Sequence, residues 1–383
     1  MERFLLSPEE LRARTGGKWR MHPSDVLPAF VAEMDFRVAP AIQDAIRDFV
    51  DRGDYGYGQS TDPALLFEAF AAWMQKRHGW QPDPALTIAT SDVVQGLVAM
   101  LIAFSEKGDG VIAQTPVYPP FLMSITRTGR RLVDNPLQDT GSRHAVDLEG
   151  LERAAADASV ILVCNPQNPT GRVFERQELE GIASIAAAHD LTIVSDEIHA
   201  DLVYPGARHI PMETVAGAAA RTVTLTSATK GFNIPGLRAA VAHFGTPELK
   251  ARFEASVPDH LLGAPNRIGV AATVAAWHDG EEWLGEVMEY LDGNRRRVAG
   301  WAAEQGLRHH TPEATFLAWL DCSHLILDEG VTLQEHFLDR ARVALSDGAD
   351  FGESGKGHAR LNFATSADVL EEILGRLAAG LRG

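Results

Sequence analysis

Between residues 86 and 235 the chain alternates two kinds of hydrophobic pattern. Short apolar runs rich in β-branched residues (ALTIAT, DGVIAQTP, ASVILVCNP, LTIVSDE, RTVTLTS) predict strands buried on both faces. Between them, DVVQGLVAMLIAFSEKG and ERQELEGIASIAAAHD carry helical periodicity, the first ending on a glycine. Leu179, Ile182, Ala183 and Ala186 share one face of the second helix. Apolar strands interleaved with helices predict an α/β fold with a mostly parallel sheet covered by helices on both faces.

After about residue 265 the character changes. NRIGVAATVAAWHDG and EEWLGEVMEYLDGNRRRVAGWAAEQG read as long helices. ATFLAWLD and HARLNFA then read as strands, and ADVLEEILGRLAAGLRG as a last helix. The expectation is a large domain over 46–265 and a smaller α+β domain built from 1–45 and 266–383. A length of 383 residues suits two structural domains.

Composition adds exclusions. Hydrophobic residues make up 45% and charged residues 23%, as in ordinary globular chains. A formal net charge of −17 repels phosphate backbones, so nucleic acid is not expected as a partner. Two cysteines, Cys164 and Cys322, make no disulfide framework, and Cys164 is expected in packed core. The N-terminal stretch MERFLLSPEELRART has acidic residues and no apolar core of the signal-peptide kind. No apolar run approaches the roughly 18 residues of a membrane span. These features predict a cytoplasmic protein with no membrane partner.

Three stretches follow successive predicted strands: NPQNPTG (165–171), SDEIH (195–199) and SATKG (227–231). Ligands of open α/β sheets bind beyond the carboxyl ends of the strands. If these strands are neighbours, an amide (Asn168), a carboxylate (Asp196) and an amine (Lys230) converge on one cleft. Each alone has an ordinary explanation: a rigid turn, a helix cap, a solvated lysine. Together they suit pyridoxal phosphate, which is carried on a lysine with an acid beside its ring nitrogen. The amide can hydrogen-bond the phenolic oxygen. Ser227 and Arg238 flank the lysine and have the chemistry to hold a phosphate.

These stretches resemble the class I/II aminotransferase superfamily of pyridoxal-phosphate enzymes (fold type I). VAEMDF, YGYG, TPVYPPF and SDEIHADLVY resemble its cystathionine β-lyase branch, the MalY/PatB-like C–S lyases, and matches run from about residue 19 to residue 366. The resemblance implies that Lys230 holds the cofactor covalently and serves as general base at the substrate Cα. Asp196 would pair with the pyridine nitrogen, Asn168 would meet the phenolic oxygen and His199 would stand beside it. Tyr118 would stack on the ring. Ser227, Arg238 and the Val93 and Val94 amides would bind the phosphate. Tyr57 would reach the phosphate of a neighbouring subunit in a homodimer. Arg360 would clamp the substrate carboxylate.

Two positions depart from the branch: Asp92 stands where glycine is common, and Phe30 where tryptophan is frequent. An acid beside a phosphate repels it unless it turns away to cap the helix. The implied reaction is β-elimination of a thiol from cystathionine or another S-substituted cysteine, leaving pyruvate and ammonia. An aminotransferase shares the early steps and is the nearest rival. A non-catalytic regulator on this fold is a rival of another class, and the presence of Lys230 speaks against it. FGESGKGHAR is no phosphate loop, because Gly357 follows Lys356 where Ser or Thr is needed. RHH at 308–310 lacks metal-ligand spacing.

Overall fold

The computed structural model describes residues 3–57, 62–258 and 261–381. Seven strands form the large sheet: β1 (Thr87–Thr90), β2 (Gly110–Ala113), β3 (Arg131–Asp134), β4 (Val160–Cys164), β5 (Thr192–Asp196), β6 (Thr222–Thr226) and β7 (Ala240–Phe244). Their order is β1-β7-β6-β5-β4-β2-β3. All neighbours run parallel except β7, which is antiparallel to both β1 and β6.

The apolar runs become strands because both of their faces are covered. Every residue of β4, β5 and β6 is buried. Val111, Ala113, Leu162 and Cys164 pack with Leu97, Met100 and Phe104 of helix Val93–Phe104. Ile112, Ile161, Val163 and Ile193 point the other way, onto helix Arg176–Ala188. Leu179, Ile182, Ala183 and Ala186 form that helix's inner face, as its periodicity predicts.

A second sheet has four strands: β8 (Arg308–His309), β9 (Leu317–Asp321), β10 (Ser346–Asp347) and β11 (His358–Asn362). Its order is β8-β9-β11-β10, antiparallel throughout. Helices Glu281–Glu304 and Ala367–Gly380 pack against it through Leu291, Val298, Leu370 and Leu374. Two further helices, Pro40–Arg52 and Asp62–His78, lie in a region that the hydrophobic pattern left unassigned. The first runs through the expected domain boundary at residue 45.

The N-terminal segment sits between the two sheets. Leu27–Pro28 pairs in parallel with Val343–Ala344. The strap that follows, Phe30–Phe36, is pinned from both sides. Asn362 donates to the carbonyls of Val31 (2.6 Å) and Glu33 (2.7 Å). Asn233, six residues upstream of β7's loop end at Ala239, donates to the carbonyls of Met34 and Phe36, both at 3.0 Å. Beneath the strap Lys18 pairs with Asp35 at 2.9 Å, both side chains 1% exposed. No described helix is long and apolar enough to cross a membrane.

Candidate active site

Strands β4, β5 and β6 are adjacent and end nearly level, with Cys164 opposite Asp196 and Asp196 opposite Leu225. The expected convergence therefore occurs. Asn168 lies in the turn after β4, Asp196 closes β5, and Lys230 rides on a one-turn helix after β6, Ala228–Gly231. All three line one cavity of about 310 Å³. Val93, Val94, Tyr118, His199 and Arg238 line it as well.

Each wall has a local cause. Ser227 caps the lysine's helix by accepting from the Thr229 amide at 3.1 Å, which fixes where Lys230 leaves the backbone. Lys230 Nζ donates to the carbonyl of Ala32 on the strap at 2.7 Å. Burial, and then the Arg360 charge, push its amine down to about 8. Asp196 accepts from the Ile198 amide at 3.0 Å, and burial pushes its carboxyl up to about 7. His199 is pushed down to about 3 by burial, with Lys230 and Arg360 adding to the effect, so its ring is neutral. Its Nδ1 is buried with no hydrogen-bond partner among the described residues. Burial also raises the Tyr118 phenol.

Arg360, on β11, approaches from the second sheet. It donates to Asn168 Oδ1 at 2.9 Å and to the Phe30 carbonyl at 2.7 Å, over the ring of Phe351. Burial lowers it to about 10, which still leaves it charged at neutral pH. Its Nε is buried and has no hydrogen-bond partner among the described residues.

Two of the expected phosphate groups look different in detail. Ser227 is 3% exposed and its hydroxyl lies 2.6 Å from the Ala239 carbonyl, behind the cavity wall. Thr229 lines the cavity in its stead. Asp92 does turn to cap helix Val93–Phe104, accepting from the Gln95 amide at 2.8 Å. Its other oxygen accepts from Arg238 at 2.6 Å. Tyr57 lies outside this cavity, fully exposed.

Sequence reasoning missed Ala32, Thr229, Ile198 and Pro235 as lining residues. Thr229 was findable, since it adjoins Lys230 in the first turn of a helix. Ala32 acts through a backbone carbonyl, which no residue type signals. Cys164 is core as expected, 4% exposed, and also touches the cavity.

Residues 31–377 match the model of the aminotransferase class I and II family, and the chain belongs to that family. Within it, the chain is 36% identical to cystathionine beta-lyase PatB of Bacillus subtilis, over 94% of this chain and 93% of that one. It is 35% identical to cystathionine beta-lyase of Corynebacterium glutamicum, over 97% and 98%. The crystal structure of the PLP-bound C–S lyase from Staphylococcus hominis superposes with a TM-score of 0.90 at 28% identity, covering 97% of this chain and 96% of that one.

Proposed function

We propose that the cavity binds pyridoxal phosphate and that the protein is a C–S β-lyase. It would cleave cystathionine or another S-substituted cysteine into a thiol, pyruvate and ammonia. The observation that carries this reading is the placement of Asn168, Asp196 and Lys230 around one cavity, with Arg360 reaching Asn168 from the opposite sheet. The kinship with proteins named cystathionine beta-lyase and C–S lyase supports the reaction class.

The residues suit the cofactor. Asp196 is a buried acid with one backbone donor and, among the described residues, no cation bonded to it, so a protonated ring nitrogen suits it. The orphaned His199 Nδ1 offers a hydrogen bond at the cavity wall. Tyr118 supplies a flat face, and Asn168 an amide for the phenolic oxygen. Val93, Val94, Thr229 and Arg238 gather donors at a helix N-terminus, where an anion is favoured, with Ser227 directly behind. Bound there, the cofactor supplies an electron sink for the pair left at the substrate Cα.

The chain's own groups do the rest. Lys230 has an amine lowered to about 8, so much of it is neutral near that pH and able to take the Cα proton. While the amine is free of the cofactor, the Ala32 carbonyl gives its Nζ a partner. Arg360 holds the substrate carboxylate, and its planar fork fixes which Cα bond faces Lys230. Cα–H breaks, the proton goes to Lys230, and the Cβ–S bond breaks with its electron pair leaving on sulfur. Water then converts the three-carbon remainder to pyruvate and ammonia.

We also propose a cytoplasmic homodimer in which Tyr57 reaches the partner's phosphate site. Its support is an exposed apolar patch of Val50, Tyr55, Tyr57 and Leu65 beside a groove of about 400 Å³ lined by Phe49, Val270 and Val274. The two-domain division, 46–265 against 1–45 with 266–383, is proposed too, with its first boundary moved off helix Pro40–Arg52.

The test is product analysis. Cystathionine should yield pyruvate without any added keto acid, and Lys230→Ala should abolish both pyruvate and the absorbance of covalently held cofactor. Amine transfer that depends on a keto acid, with no pyruvate, would establish the aminotransferase reading that the family match also permits.

A further inference from the structure

One of the groups that would hold a phosphate, Arg238, is already engaged by an acid. Asp92 accepts from the Gln95 amide at the start of helix Val93–Phe104 and, through its second oxygen, from Arg238. A helix N-terminus and a guanidinium are the two strongest anion-holding features of this wall. We propose that Asp92 is a built-in competitor for the cofactor's phosphate, which it meets at Arg238 and which it weakens.

Asp92 and Arg238 both line the cavity, so the carboxylate cannot be dismissed as a distant cap. An incoming phosphate either takes Arg238 away from Asp92 or settles beside that negative charge. Both routes cost binding free energy. The contact is weak enough to yield. The Arg238 side chain is 60% exposed and that of Asp92 31%, so solvent screens the pair. The Arg238 backbone is fixed in the left-handed region at φ 49°, whereas its half-solvated side chain has room to turn. The cap is separate chemistry: an uncharged amide oxygen at residue 92 would still accept from Gln95. The consequence is a cofactor that is held less firmly and exchanges more readily than the rest of the pocket would dictate.

This inference rests on the pyridoxal-phosphate reading, and the experiment separates the two. Cofactor-free protein is titrated with pyridoxal phosphate, and in parallel with pyridoxal, which lacks the phosphate, following absorbance and protein fluorescence. Asp92→Asn keeps the cap and removes the charge. It should bind pyridoxal phosphate about tenfold more tightly than wild type, the worth of removing one like charge from a half-exposed anion site. Pyridoxal should bind both proteins equally. An Asp92→Asn affinity for pyridoxal phosphate equal to or below wild type overturns the proposal, as does an equal gain for pyridoxal. Asp92→Ser, a second uncharged cap, must follow Asp92→Asn if the charge is the cause. Wild-type protein that takes up neither ligand overturns the cofactor reading itself, and this inference with it.

Discussion

At the scale of single residues, burial sets the chemistry of the cavity. Asp196 shows it best. Its carboxyl ordinarily titrates at 3.8 and is pushed up to about 7, chiefly by loss of water. The folded state therefore holds its proton more tightly than the unfolded state does. That contribution is fully present below 3.8 and is lost as the pH rises through about 7. Cofactor-free wild type should lose stability relative to Asp196→Asn over this window, as measured by urea unfolding at a series of pH values. Parallel curves for the two proteins would mean that the folded state does not raise this carboxyl. A ring-nitrogen cation bound against Asp196 removes the penalty, so the same difference should vanish in cofactor-loaded protein.

At the scale of elements, the strap Phe30–Phe36 is the piece on which Lys230 and Arg360 both rest. It makes little regular structure and depends on buried polar pins. Lys18 and Asp35 are the deepest of them, and Lys18 also donates to the Glu33 carbonyl at 3.1 Å. Lys18→Met leaves Asp35 buried with the Trp19 indole as its hydrogen-bond donor and no paired charge, and should cost about 3–5 kcal/mol. Urea unfolding measures it, and a loss below about 1 kcal/mol would show that the pair is not what pins the strap.

The strap also marks where sequence legibility stops. Asn168, Asp196 and Lys230 were readable because each follows an apolar run whose two-sided burial makes it a parallel strand. Arg360 and Tyr118 were readable only through the family resemblance, since nothing local ties their segments to the others. Strand β7 was missed because AVAHF follows the irregular connection that carries Lys230 and Arg238, and it runs antiparallel inside an otherwise parallel sheet. Strand β3 is an edge with mixed exposure, so its pattern is blurred. The Asp92–Arg238 contact spans 146 positions and has no local signature, although the missing glycine hinted at it.

At the scale of the whole molecule, the exposed apolar residues Val50, Tyr55, Tyr57 and Leu65 mark the face that the proposed homodimer would cover. Leu65 is 57% exposed on helix Asp62–His78, beside the groove lined by Phe49, Val270 and Val274. In the proposed homodimer this face is buried, so a charge there is costly. Leu65→Glu should halve the mass seen by light scattering. A variant that stays at dimer mass would place the interface elsewhere.

The strap has one more consequence, which concerns biosynthesis. A chain leaving the ribosome presents Phe30–Phe36 long before Asn362 and Arg360, the partners that hold it, which lie some 330 positions further along. The large sheet can assemble while those partners are still unmade, because β1 to β7 close within residues 87–244. The strap that partners the free Lys230 amine cannot be secured until β11 has emerged. Capture of the substrate carboxylate, which needs Arg360, therefore belongs to the end of synthesis, and a nascent chain stalled before residue 358 should carry a folded sheet around an unfinished site.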